Sequence, residues 1–146
     1  MSAVTPRRRA RELVLQGLYE RQVSGGSDDA IAASLIDSPG HARADAEYFL
    51  ELWRGVTSQY PALLEALASV VDRSMESLAP VERAVIVIGA WELLHRLDIP
   101  YRVVIDEAVE IAKTYGGTDG HKFVNGVLDK LAPRLRPGER RVSGKA

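Results

Sequence analysis

Apolar residues recur along this chain at intervals of three and four, which is the spacing of one face of an α-helix. The pattern starts after Thr5, a residue type that caps helix N-termini, and Pro6, which suits a first helical position. It stops at the sequence SGGS, residues 24–27. A first helix is therefore predicted between these limits, and it buries a stripe made of Ala10, Leu13, Val14, Gly17 and Leu18.

The same spacing continues through most of the chain and predicts more amphipathic helices. Gly116 is expected to end one of them as a C-terminal cap, and Thr118 or Asp119 to begin the last. The predicted helices span residues 27–35, 46–60, 61–71, 103–115 and 118–133.

The segment from Pro80 to the sequence DIP at residues 98–100 is ambiguous by spacing alone. Residues 85–88 are consecutive, apolar and β-branched, as in a buried strand. A segment this long exceeds an ordinary strand, and Pro80 followed by Glu82 suits the first turn of a helix. We therefore predict a helix that is apolar nearly all round and lies at the centre of a bundle.

These elements predict an all-α, single-domain helical bundle of about six or seven helices, with residues 1–146 forming one domain. A chain of 146 residues is long enough to bury one core. Residues 1–5 and 134–146 lack apolar periodicity, and we expect them to be flexible.

The chain has no cysteine, which excludes disulfides, thiolate metal sites and cysteine nucleophiles. It also has no apolar signal segment and no membrane span, so we expect a cytoplasmic protein. The net charge of −1 conceals an uneven distribution. Residues 1–23 carry +3, residues 24–120 carry −9 and residues 121–146 carry +5. Two basic ends suit a polyanion, and an acidic middle suits a basic partner.

Several patterns that could support catalysis or metal binding have simpler interpretations. Glu92 and His95 have the Glu-x-x-His spacing of di-iron bundles, but the chain has only one such pair. Acidic residues at 106, 107 and 110 suit the first turn of a helix, and GGTDGHK lacks the ending of a phosphate loop. We therefore predict no catalytic residue, no metal site, no cofactor and no enzymatic activity.

Four arginines, Arg7, Arg8, Arg9 and Arg11, lie within five positions at the start of the first predicted helix. Their charges repel one another and oppose the helix macrodipole, which favours a functional reason for their placement. The cluster is either a solvated helix start or a surface that binds phosphates, and the local pattern leaves both open.

A second candidate surface is the sequence HKFVNG at residues 121–126. On a helix, Phe123 lies about 100° from Val124, at the flank of the apolar stripe and beside Lys122. An aromatic ring next to basic residues can stack on an unpaired base. The alternative, a peripheral core aromatic, stays open.

Three segments of the chain resemble the NusB family of bacterial transcription antitermination factors. They cover somewhat under half of the sequence, and the last one follows the closing motif of the family nearly letter for letter. The segments are RRRARELVLQGLYE at 7–20, PVERAVIVIGAWELLHRLDIPYRVVIDEAVEIAKTYGG at 80–117, and HKFVNGVLDKLAP at 121–133.

This resemblance implies an all-helical protein that binds boxA RNA of ribosomal RNA leader transcripts together with NusE, a small ribosomal subunit protein. The complex would help RNA polymerase to read through terminators. Partner contacts carry over to Tyr19 and Glu82. RNA contacts carry over to Arg7, Arg8, Arg9, Asp119, Lys122 and Phe123.

The sequence departs from the family pattern at two glycines. Gly17 replaces the usual alanine, and Gly120 replaces a serine often found before HKF. Two other functions remain as alternatives: an accessory domain like that of ribosomal RNA cytosine methyltransferases, and a helical module that binds only protein. The oligomeric state, including a homodimer, is left open.

Overall fold

The computed structural model describes residues 4–139, and within that range it contains helices and connecting segments but no strand. The expected flexibility of residues 1–3 and 140–146 lies outside the described residues. The all-α class and the predicted number of helices are confirmed. Two short 3-10 helices, Pro39–Arg43 and Met75–Ser77, accompany α1 (Pro6–Val23), α2 (Asp28–Ile36), α3 (Ala46–Ser58), α4 (Tyr60–Ala68), α5 (Pro80–His95), α6 (Tyr101–Tyr115) and α7 (Gly120–Leu135).

The backbone forms two compact units, of which the first ends at Gln59 and the second begins at Tyr60. In the first unit, α1 packs against α2, α3 and the intervening 3-10 helix. The start of α1 is as expected, because the Thr5 hydroxyl accepts a hydrogen bond of 3.0 Å from the backbone N–H of Arg8.

Gly17 permits a close contact inside the first unit. A Cβ atom at this position would lie 2.5 Å from a ring carbon of Trp53 and 2.8 Å from a methyl carbon of Leu35. The indole N–H of Trp53 donates to the carbonyl of Asp28 over 3.1 Å, which fixes the ring on α2. Glycine therefore stands where the family usually has alanine, because the indole occupies the space that the alanine methyl group would need.

In the second unit, α5 is the central element and packs against α4, α6 and α7. Every residue from Ala84 to Leu93 is buried, which confirms the helix that is apolar nearly all round and excludes the strand alternative. None of the helices in residues 4–139 is both long enough and apolar enough to cross a bilayer.

The end of α7 lies beyond Pro133, where the apolar pattern of the sequence stops. The helix continues past Pro133 to Leu135, and the side chain of Arg136 is only 3% exposed. Its guanidinium donates hydrogen bonds to four backbone carbonyls at the end of α5 and in the connection to α6. These carbonyls belong to Glu92, Leu93, Arg96 and Ile99.

Glu139 completes this anchor. Its carboxylate pairs with Arg136 over 2.9 Å and accepts a hydrogen bond of 2.8 Å from the backbone N–H of Tyr101, the first residue of α6. Helix ends leave their last carbonyls and first N–H groups without intrahelical partners, and the N–H of Tyr101 is one of these groups. Residues 134–139 lack apolar periodicity, but polar bonds to backbone, which produce no such periodicity, connect this segment to α5 and α6.

Arg136→Ala should lower the free energy of unfolding by about 3 kcal/mol, since it leaves buried carbonyls without a charged donor. Urea unfolding followed by circular dichroism measures the change. Arg134→Ala, which removes an exposed arginine two residues earlier, is the control and should change stability by no more than about 0.5 kcal/mol. Equal stability of the two variants would refute the anchoring role.

Candidate nucleic-acid interface

The arginine cluster occupies the first turns of α1. Two of its members, Arg7 and Arg11, lie over the ring of Tyr48 on α3. The guanidinium of Arg7 lies 4.5 Å from the centre of the Tyr48 ring, and that of Arg11 lies 5.7 Å from it. Both are within the range of cation–π attraction. Because Arg11 is only 3% exposed, it belongs to the packing of the first unit, which settles the role that the sequence left unassigned.

Arg7, Arg8 and Arg9 are all partly exposed. The first turn of α1 contains no acidic residue. Their charges add to the partial positive charge of the helix N-terminus, and both attract an anion. This part of the first unit is therefore a basic surface whose residues match the predicted RNA contacts.

In the second unit, the closing motif begins with a sharp turn. Asp119 has a left-handed backbone with φ of 65°, and the chain enters α7 at the next residue. The carboxylate of Asp119 lies 3.2 Å from the ammonium group of Lys122, and both side chains are largely exposed. Three predicted contacts, Asp119, Lys122 and Phe123, thus lie on one turn at the start of α7.

Phe123 is half-buried, so it is neither a fully buried core residue nor an open ring. The guanidinium of Arg73 lies 5.2 Å from the ring centre. Both residues line a surface cavity of about 320 Å³, together with the turn at residues 117–120. The sequence did not identify Arg73, because fifty positions separate it from Phe123 and only the fold brings the two together.

Glu82 holds the turn from inside. Its side chain accepts a hydrogen bond of 3.0 Å from the backbone N–H of Gly117, and the residue is only 7% exposed. A Cβ atom on Gly116 or Gly120 would collide with the Glu82 carboxylate. Gly120, which stands where the family often has serine, therefore makes room for this carboxylate.

The two predicted partner contacts differ in accessibility. Tyr19 is 45% exposed on α1 and is available to a partner. Glu82 is buried and bonded within its own unit, so the structure gives its side chain an internal role that the sequence did not predict. A direct partner contact through Glu82 stays a prediction.

The rejected metal pair has other surroundings. Glu92 is only 1% exposed, and the His95 ring lies 5.3 Å from the ring of Trp91. Among residues 4–139, no group of three or more His, Cys, Asp or Glu side chains could hold a metal ion.

Comparison with known proteins places these features in one family. The NusB family model matches residues 8–133. The transcription antitermination protein NusB of Dechloromonas aromatica is 50% identical over 133 residues, covering 91% of this chain and 82% of that protein. The protein of the same name from Burkholderia lata is 51% identical over 133 residues, covering 91% and 92%.

Solved structures agree with the sequence relatives. The T. maritima NusB structure is 31% identical and superposes with a TM-score of 0.82, covering 96% of this chain and 99% of that one. A structure of antitermination factors NusB and NusE in complex with dsRNA is 23% identical, with a TM-score of 0.79, and shares the fold. It covers 87% of this chain and 96% of its own. The family match spans both the arginine-rich start of α1 and the closing motif on α7, and this chain belongs to the NusB family.

Proposed function

We propose that this chain is an RNA-binding transcription antitermination factor. It binds boxA RNA of ribosomal RNA leader transcripts together with NusE, and the complex promotes read-through by RNA polymerase. It acts by binding and not by catalysis, in the cytoplasm where transcripts are made. Its two units serve as one RNA-binding domain.

The observation that carries this proposal is the accessibility of both motifs that match the family. The basic start of α1 is partly exposed and has no acidic residue in its first turn, and the start of α7 exposes Lys122 beside the half-buried Phe123. Cations that neutralise phosphates and a ring that stacks on a base are the two components of single-strand binding. Relatives that are 50% and 51% identical carry the name of antitermination proteins.

Each proposed residue has one role. Arg7, Arg8, Arg9 and Lys122 neutralise phosphates, and Phe123 stacks on a base. Asp119 shapes the turn and orients Lys122 through their ion pair. Tyr19 contacts NusE.

RNA binding should depend strongly on salt. If about four phosphates are neutralised, the affinity for single-stranded boxA RNA should fall about 50-fold between 50 and 200 mM salt. Fluorescence anisotropy with boxA and scrambled RNA, with and without NusE, measures this. NusE should tighten binding to boxA more than to the scrambled RNA. An affinity that does not change with salt would instead support a module that binds only protein.

Phe123→Ala should weaken RNA binding by about 1 to 3 kcal/mol, because the variant lacks the ring on which a base stacks. Phe123→Tyr retains the ring and should bind nearly as well as the wild type. Tyr115→Ala removes a 48% exposed aromatic at the end of α6 and serves as the control. If Phe123→Ala binds RNA normally but melts several degrees lower, Phe123 is a core residue.

Glu82 is tested with two substitutions. Glu82→Ala removes the acceptor for Gly117 and should lower stability by about 1 to 3 kcal/mol, whereas Glu82→Gln retains an acceptor oxygen and should cost less. Affinity for NusE is measured for both by calorimetry. A loss of NusE affinity in a stable Glu82→Gln variant would show that the charge contacts the partner. Unchanged affinity would assign Glu82 to the turn alone.

A further inference from the structure

A groove extends from the predicted RNA site along the outer face of α7, in the second unit. Its other wall is the segment 69–73, which follows α4. Three adjoining cavities of about 320, 150 and 470 Å³ make up the groove. The first and second share Arg73 and Phe123, and the second and third share Lys130. The groove is therefore continuous from Phe123 to the far end of α7.

The α7 wall of this groove is basic. Lys122, Lys130 and Arg134 are separated by eight and four positions, so they lie on one helix face. Gly126 lies four positions from both Lys122 and Lys130, and a Cβ atom there would meet nothing within 4 Å. All four residues are exposed, and from Lys122 to Arg134 the face extends about 18 Å at 1.5 Å per residue.

Arg73 supplies a cation on the opposite wall. Its side chain is 55% exposed and lies 3.2 Å from the carboxylate of Asp72, which is itself 82% exposed. An ion pair this exposed contributes little, and so does a cation–π contact at the surface. The guanidinium can therefore exchange both contacts for a phosphate at small cost.

We propose that the groove binds a second stretch of the same single-stranded RNA, beyond the base at Phe123, with Arg73, Lys130 and Arg134 contacting its phosphates. This inference rests on the proposed function and extends it to residues to which the resemblance assigned no RNA contact. The α7 face, about 18 Å long, is long enough to follow several phosphates of an extended single strand. Continuity with the Phe123 cavity favours RNA over an acidic protein segment, because a stacking ring serves bases.

The first test removes Lys130 and Arg134, the two proposed cations of α7 that lie farthest along the helix from Phe123. The Lys130→Ala/Arg134→Ala variant should reduce the slope of log affinity against log salt by about 1.4 for a long boxA RNA. Between 50 and 200 mM salt, the fold-decrease in affinity should therefore be roughly seven times larger for the wild type than for the variant. The control Arg102→Ala/Lys113→Ala removes two charges of similar exposure on α6 and should leave the slope unchanged. Equal slopes in the groove variant and the control would overturn the proposal.

The second test compares two matched arginines. Arg102 lies 5.1 Å from the Tyr101 ring, is 52% exposed and pairs with Asp129 over 3.8 Å, so it reproduces the surroundings of Arg73 outside the groove. Arg73→Ala should reduce the salt slope by about 0.7, and Arg102→Ala should not change it. If Arg73 only covers Phe123, Arg73→Ala would bind RNA more tightly with an unchanged slope, and the phosphate contact would be refuted.

The third test uses the open space at Gly126. Gly126→Ala should bind RNA normally and melt at a higher temperature, because alanine favours the helix. Gly126→Glu places a negative charge in the groove and should weaken binding on the order of tenfold. Unchanged binding by Gly126→Glu contradicts an RNA strand at this position.

RNA length separates failure of this inference from failure of the proposed function. A short RNA that covers only the Phe123 site should bind wild type and groove variants equally, whereas an RNA extended by several nucleotides should discriminate between them. If neither RNA binds the wild type, the proposed function and this inference both fail. If both RNAs bind but the groove variants bind as the wild type does, only the inference fails. Binding of a polyglutamate peptide is measured as well. If the groove variants keep RNA binding but no longer bind this peptide, the groove belongs to an acidic protein segment and the proposal is overturned.

Discussion

Two buried ions, one at each end of α5, hold the second unit together. Near the start of this helix, the Glu82 carboxylate accepts from the backbone N–H of Gly117 and thereby fixes the turn between α6 and α7. At its end, the Arg136 guanidinium binds the carbonyls of Glu92 and Leu93 in the last turn of the helix. Both the start and the end of α7 are thus tied to the same central helix. The exposed face of α7 takes its position from these two attachments.

Buried ions of this kind are stable only when backbone dipoles satisfy them, since an unpaired buried charge is very costly. Arg136 meets this condition with four carbonyls and the carboxylate of Glu139. Glu82 accepts the backbone N–H of Gly117 at the turn, where Gly116 and Gly120 lack the side chains that would displace the carboxylate. Because these contacts and the apolar face of α7 account for its position, the outer face carries no packing constraint. Exposed basic residues can occupy that face without weakening the fold.

The helices were predictable from the sequence because each buries an apolar stripe with a regular period. Even α5 was recognisable, from its length and the proline at its start. The burial of Arg11 also left a signal, since it stands three and seven positions before Val14 and Leu18, on the same helix face. The roles of Arg73, Glu82 and Arg136 left no such signal. Each depends on residues distant in the chain, and bonds to backbone or contacts with an aromatic ring impose no periodicity on a sequence.

The two units present guanidinium groups over aromatic rings in different ways, and the difference indicates what each contributes to RNA binding. Tyr48 is only 2% exposed beneath Arg7 and Arg11, so no base can reach its ring. Its contact orders the arginine, and ordering a flexible cation before binding reduces the entropy lost on binding. Phe123 is half-buried beneath the exposed Arg73, so its ring becomes accessible when the guanidinium moves. The first unit is therefore suited to holding phosphates at fixed positions, whereas the second can exchange a cation for a base.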